Sequence, residues 1–115
     1  MGQILEWFRA AGLEAPTVKE CQQQAAKNQA SVPQLVQLLV SDGELVEIAP
    51  DYHLHASAEQ AARDKVRQSM QGRGLTLSEI RELLGTTRKY AVPLCEYWDR
   101  VGFTARQGDL RTLKA

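Results

Sequence analysis

Cysteine is scarce in this chain. Cys21 and Cys95 are its two thiols; they lie far apart and neither belongs to a C-x-x-C pair, so zinc-ribbon and thioredoxin-like readings have no support. Reduced thiols in a cytosolic protein are the expectation. Histidine is equally sparse: His53 and His55 share one face of a predicted strand, and without further ligands beside them they read as a solvated hairpin face, with no metal and no other cofactor. No apolar run approaches the length of a membrane span or a signal peptide, and the start lacks the basic-then-apolar pattern of a targeting segment. A G-x-x-x-x-G-K-[ST] phosphate loop is missing, and no nucleophile-base arrangement is suggested. The expectation is a soluble, cytoplasmic, monomeric protein that is not an enzyme.

Net charge is also lacking: fourteen Lys and Arg balance fourteen Asp and Glu over 115 residues. The balance conceals a polarity along the chain. From 1 to 62, Arg9, Lys19 and Lys27 face eight carboxylates, a net charge of −5, whereas from 63 to 115 eleven cations face six carboxylates, a net charge of +5. A polyanion would meet repulsion from the first half and attraction from the second.

What is present is a repeated pattern of short amphipathic helices, each followed by a hairpin. Ile4, Leu5 and Phe8, with Leu13 beyond Gly12, mark a first helix. Thr17 and Glu20 stand at capping-box spacing and open a second, and Ser31-Val32-Pro33-Gln34 repeats the signal for a third, which runs through Leu35 to Val40 and ends at Gly43. Leu45–Ala49 alternates as a strand, Pro50-Asp51 turns, and Tyr52–His55 alternates back. Three helices and a hairpin is the winged-helix order, a variant of the helix-turn-helix.

The order then recurs. Ala56–Gly72 has the composition and periodicity of a helix that both connects the halves and opens the second; such a connection is stiffer than a Gly/Ser linker. Leu75 is a candidate short strand, Thr76-Leu77-Ser78-Glu79 is another capping box, and Gly85 ends its helix. Tyr90, Leu94, Tyr97, Trp98 and Val101 then recur at helical spacing, and their face predicts a helix packed against the domain. Phe103–Gln107 and Leu110–Lys114 form a second hairpin around Gly108-Asp109; its alternation is expected to turn Phe103 and Leu110 inward, with Leu113 beside them, and leaves Arg106 and Arg111 available near its tip. The fold class is therefore α+β, mainly α, with tandem winged helices at 1–56 and 57–115.

The unusual stretch is the start of the last helix. Arg88 and Lys89 fall in its first turn, where the helix end disfavours cations by roughly 0.3 to 1 kcal/mol each. Local stability does not account for them, whereas two cations, exposed amide N–H groups and the hydroxyls of Thr86 and Thr87 suit phosphate oxygens. Pro93, inside the helical pattern, is expected to kink the helix or to leave the basic turn as a separate piece.

From Leu75 through Thr104 the sequence is similar to the C-terminal winged helix of the bacterial selenocysteine-specific translation elongation factor family, SelB. The resemblance is carried by Arg81-Glu82-Leu83-Leu84-Gly85, then Thr86-Thr87-Arg88-Lys89-Tyr90-Ala91, then Pro93-Leu94-Cys95-Glu96. It implies a module that binds the mRNA hairpin beside a UGA codon and so tethers the factor there. The ribosome and selenocysteyl-tRNA would be partners through the rest of the factor, and GTP binding and hydrolysis would belong to sequence outside this chain. By that likeness Thr87, Arg88 and Lys89 hold the hairpin-loop backbone, supported by Arg81 and by the wing residues Arg106, Gln107 and Arg111. Thr87 replaces the family's usual serine, and Ala105 stands where many relatives carry a second arginine.

RNA hairpins are read at unpaired loop bases and at phosphates, because the A-form major groove is too narrow for side chains. A compact basic turn and a wing suit that target. Two other readings stand beside it. A winged-helix DNA-binding regulator would use the same helix in a major groove, where Glu96 and Asp99 would meet backbone phosphate; a winged-helix protein-interaction module would use the acidic first half.

Overall fold

The computed structural model describes residues 2–25, 27 and 29–114. Contacts sort the chain into two compact units divided between Glu59 and Gln60. Each has the winged-helix order, with helices leading into a hairpin.

In the first unit, α1 (Gly2–Ala11), α2 (Val18–Gln24) and α3 (Val32–Ser41) precede β1 (Leu45–Ala49) and β2 (Tyr52–His55). The Thr17–Glu20 capping box forms: Glu20 N–H donates to Thr17 Oγ1 at 3.1 Å and Thr17 N–H donates to Glu20 Oε1 at 2.8 Å. Each bond satisfies an amide that the helix start would leave unpaired. The serine signal behaves differently. A 3-10 turn over Gln29–Ser31 runs straight into α3, Ser31 takes helical dihedrals, and its side chain makes no cap bond. A cap needs an extended residue whose oxygen faces the N–H of the next turn, and a helical Ser31 cannot present one.

Phe8, Val32, Val36, Leu39, Leu45, Ile48 and Leu54 fill the core of this unit. Polar bonds tie the hairpin to α2 and to the turn before it: Val18 N–H donates to Asp51 Oδ1 at 2.6 Å and Tyr52 Oη donates to the Leu13 carbonyl at 2.7 Å. In the β1–β2 ladder Leu45 pairs with His55 and Glu47 with His53, and the register shifts between Glu47 and Ala49. His53 does not lie on a solvated face. It is 2% exposed, with its ring edge-on to Phe8 at 6.3 Å between centroids, because α1 packs over β2. His55, by contrast, pairs its Nδ1 with Ser57 Oγ at 2.7 Å in an exposed position.

The second unit follows α4 (Ala56–Ser69) with β3 (Leu75–Thr76), α5 (Leu77–Leu84), α6 (Arg88–Val101), β4 (Thr104–Gln107) and β5 (Leu110–Leu113). The sheet order is β3-β5-β4, antiparallel throughout. Gly74 enters β3 where an added Cβ would lie 3.3 Å from the Arg111 carbonyl, Leu110 Cβ and Thr112 Cγ2, so a side chain there would press on the centre of β5. The Thr76–Glu79 capping box forms at α5, with Glu79 N–H donating to Thr76 Oγ1 at 3.2 Å and Thr76 N–H to Glu79 Oε1 at 2.9 Å. Gly85, at φ 68°, takes the left-handed cap that a Cβ disfavours and turns the chain into α6.

Trp98 is the largest fully buried side chain of the unit and meets Phe103 edge-to-face at 5.4 Å. Burying an indole of this size is worth about 4 to 6 kcal/mol before entropy is charged against it. Ala91, Leu94 and Cys95 line the same inner face. α6 is continuous from Arg88 to Val101, so Pro93 neither detaches nor separates the basic turn. Proline at the sixth residue forfeits one bond, to the Lys89 carbonyl, while Ala91 and Leu94 on either side are held in the core.

Candidate nucleic-acid interface

The start of α6 is built by a short chain of local causes. Gly85 ends α5, Thr86 is 7% exposed and anchors the turn, and Thr87 takes extended dihedrals before the helix begins. The N–H groups of Tyr90 and Ala91 donate to the Thr87 carbonyl at 3.1 and 2.9 Å. Those of Arg88 and Lys89 come before the first intrahelical bond and point out of the helix end. Thr87 makes no side-chain cap bond, and Thr87, Arg88 and Lys89 are all exposed. Of the two threonine hydroxyls, then, Thr87 belongs to the open surface and Thr86 to the packed turn.

Arg88, Val92 and Glu96 repeat every four residues and share one stripe of α6. That stripe forms one wall of an open cleft of roughly 520 Å³. Thr76, Leu77 and Ser78 at the start of α5 form a second wall, and the wing residues Arg106, Asp109 and Arg111 form the third. Arg106 is exposed on β4, and its Nε donates to the Gly108 carbonyl at 2.9 Å, which holds the guanidinium against the wing tip. Gln107 is exposed beside it. Lys89 lies outside the cleft, with Nζ 5.3 Å from the centroid of the Tyr90 ring. A cation so placed keeps its head toward solvent while its stem covers the aromatic.

Arg111 corrects the alternation reading. Its neighbour Leu110, expected inside, is 46% exposed, while Arg111 is 5% exposed. The face of β5 is inverted because Arg111 has a partner that sequence spacing conceals. Its Nε donates to both Asp99 carboxylate oxygens, at 3.2 and 3.1 Å, and its Nη2 lies 3.0 Å from Asp99 Oδ2. Thr104 Oγ1 donates to Asp99 Oδ1 at 2.6 Å. Arg111 is therefore not a free cation at the wing tip; it pins β5 to α6 from the floor of the cleft. Asp99, likewise, is a bound carboxylate rather than an exposed one.

Arg81 lies apart from this group. Its side chain is 34% exposed on α5, with Nη2 3.7 Å from Glu82 Oε1, and it does not line the cleft. The structure thus brings Arg88 and Arg106 together, keeps Thr87, Lys89 and Gln107 on the adjoining open surface, places Arg111 beneath them and leaves Arg81 to one side. Thr76, Leu77, Ser78, Val92, Glu96 and Asp109 complete the cleft and are not among the site residues expected from the sequence. The i, i+4 spacing of Arg88, Val92 and Glu96 was the available signal for two of them. Cys95 lies behind the cleft, where burial pushes its thiol up to about 11 and keeps it inert at neutral pH.

Comparisons with known proteins agree with this architecture. Residues 68–113 match the family model described as elongation factor SelB, winged helix. A selenocysteine-specific elongation factor of Desulfomicrobium baculatum is 29% identical over 105 residues, which is 90% of this chain but 17% of that protein, so the chain spans about one-sixth of its relative's length. Among solved structures, the mRNA-binding domain of elongation factor SelB from E. coli in complex with SECIS RNA superposes with a TM-score of 0.79 at 22% identity, covering 87% of this chain and 84% of that one. A bacterial selenocysteine-specific elongation factor, EF-Sec, gives 0.66 at 20% identity, covering 93% of this chain and 20% of that one. These two likenesses establish the fold. The likeness to the elongation factor SelB winged helix is thus carried by residues 68–113, most of the second unit.

Proposed function

We propose that this chain binds an mRNA hairpin through the start of α6 and the wing, and that it does no chemistry of its own. The observation that carries the reading is the convergence of Arg88 and Arg106 on one open cleft, beside the exposed Thr87, Lys89 and Gln107. Two guanidiniums approaching from different elements can hold phosphates on either side of a sharp bend, the geometry a hairpin loop presents and a straight duplex does not. The hydroxyl of Thr87 and the leading amides of α6 add neutral donors to the same backbone. Arg81 is assigned a peripheral, long-range electrostatic part. Arg111 is a positioning residue, which fixes the wing relative to α6 through Asp99.

The E. coli relative solved with SECIS RNA supports the same kind of target. In the finer reading, the hairpin lies beside a UGA codon, the chain tethers a selenocysteine-specific factor there in the cytoplasm, and the remainder of that factor engages the ribosome and selenocysteyl-tRNA. GTP binding and hydrolysis belong to that remainder.

The test is the affinity of the full chain for a stem-loop RNA with looped-out bases, compared with Arg88→Ala, Lys89→Ala and Arg106→Ala. Each loss is expected to be about 1 to 3 kcal/mol, the scale of a charge-assisted hydrogen bond. Thermal unfolding should be nearly unchanged, since these side chains are exposed. Folded variants with unaltered affinity would remove the cleft from the binding site.

A further inference from the structure

Residues 29–41 of the first unit carry no charge, although the chain as a whole is 24% charged and about three charged side chains would be expected in that span. The buried face of α3 does not account for the gap. Val32, Val36 and Leu39 make that face, while Pro33, Gln34, Gln37, Leu38 and Ser41 are exposed on the opposite side and line a shallow groove of about 500 Å³. Leu38 is 51% exposed, an apolar side chain turned outward from a helix that already has its core face. A single exposed leucine is ordinary. A whole outward stripe without lysine, arginine, aspartate or glutamate is not, because the solvated face of a surface helix is where charged residues normally collect.

Charge returns at the end of the stripe. Asp42 and Glu44 are both exposed, and neither is in an ion pair among the described residues. They follow the C-terminal end of α3, where the helix dipole adds a partial negative charge of its own. The half of the chain around them, 1–62, has a net charge of −5. Such a field repels phosphate and attracts lysine and arginine. An uncharged centre bounded by a charged rim is the anatomy of a protein interface, and the sign of this rim selects a basic partner.

We propose that the outward face of α3 docks a basic amphipathic helix of a partner protein. Apolar side chains of the incoming helix pack on Pro33 and Leu38, the amides of Gln34 and Gln37 serve polar groups beside them, and lysine or arginine at its end meets Asp42 and Glu44. The ten residues of α3 run for roughly 15 Å at 1.5 Å per residue, room for about three turns of a helix laid along it. All of these residues belong to the first unit, and the cleft assigned to RNA is lined by residues of the second. Protein and RNA are thereby divided between the acidic and the basic half of the chain.

The probe is a synthetic helix of about fourteen residues with leucine at i, i+3, i+4 and i+7 and lysine on its other faces, titrated into the full chain while backbone amide shifts are followed. A counterpart with glutamate in place of lysine is the control. The lysine helix should move amides along 33–44, and the glutamate helix should not. Leu38→Gln keeps helix propensity and removes the apolar contact, whereas Asp42→Asn with Glu44→Gln removes the rim charge; each should weaken the lysine helix at least about fivefold at low salt. Both variants change exposed side chains, so melting temperature should hold and hairpin RNA affinity should stay within about twofold. No binding of the lysine helix, or equal binding by wild type and both variants, would overturn the proposal. A loss of hairpin affinity in Leu38→Gln would overturn it by making the stripe an RNA contact. A dimer in sedimentation that Leu38→Gln dissolves would overturn it by making a second copy of this chain the occupant.

Discussion

At the scale of single residues, the Asp99–Arg111 pair decides the most. Arg111 is buried, and breaking such a pair from one side leaves an uncompensated charge that typically costs about 3 to 5 kcal/mol. Arg111→Ala should therefore lower unfolding free energy by that amount in urea, and any loss of RNA affinity should track the loss of fold. Arg88→Ala should show the reverse pattern, with affinity lost and stability kept. His53 makes a second prediction. Its ring is buried with neither nitrogen hydrogen-bonded, and that burial lowers its pKa, against a smaller opposing pull from Glu47 and Asp51. The folded state therefore binds the proton less readily than the unfolded chain does. Stability should be full above the ordinary histidine value near pH 6.5 and should decline as pH falls from there toward the depressed folded value, while His53→Phe should flatten that slope in urea melts across pH.

At the scale of elements, much was legible and the failures have identifiable causes. Both Thr–Glu capping boxes and the glycine after α5 could be read because each acts through bonds within four residues. Thr76→Ala should cost about 1 kcal/mol of unfolding free energy, with the α5 amides exchanging faster. Ser31 carried the same signal but was drawn into a 3-10 turn, since the preceding residues had already begun to coil. Pro93 looked like a helix breaker by local rules and is overridden by the buried face on either side of it. Strand β5 was read one face out, because an alternation rule ranks leucine above arginine for the interior and cannot see Asp99 waiting on α6. The same blindness put His53 outside, since nothing local reveals that α1 covers β2. Gly74→Ala belongs to this scale too: the 3.3 Å contacts around its missing Cβ predict a displaced β3 and a lower melting temperature. Of the site, the basic turn and Arg106 were visible from residue type and position, whereas the cleft that joins them depends on how α5, α6 and the wing meet.

At the scale of the whole molecule, the zero net charge is divided between units of opposite sign, and no helix among the described residues is long and apolar enough to cross a membrane. The exposed stripe of α3 in the first unit carries Pro33, Gln34, Gln37 and Leu38 and no charged residue. The same fold order thus occurs twice, and the second copy carries the positive charge. Gln34→Ala combined with Gln37→Ala should accordingly leave hairpin affinity within about twofold, less than half a kcal/mol. The measurement that tests the central claim most directly is the affinity of the full chain for a stem-loop with looped-out bases against a fully paired RNA of equal charge, across a salt series. The account predicts a strong preference for the stem-loop that persists as salt rises, with a log-log slope of about −3 to −5 for a handful of phosphate contacts. Equal binding to both RNAs, vanishing together at moderate salt, would contradict it and reduce the basic turn to a nonspecific patch.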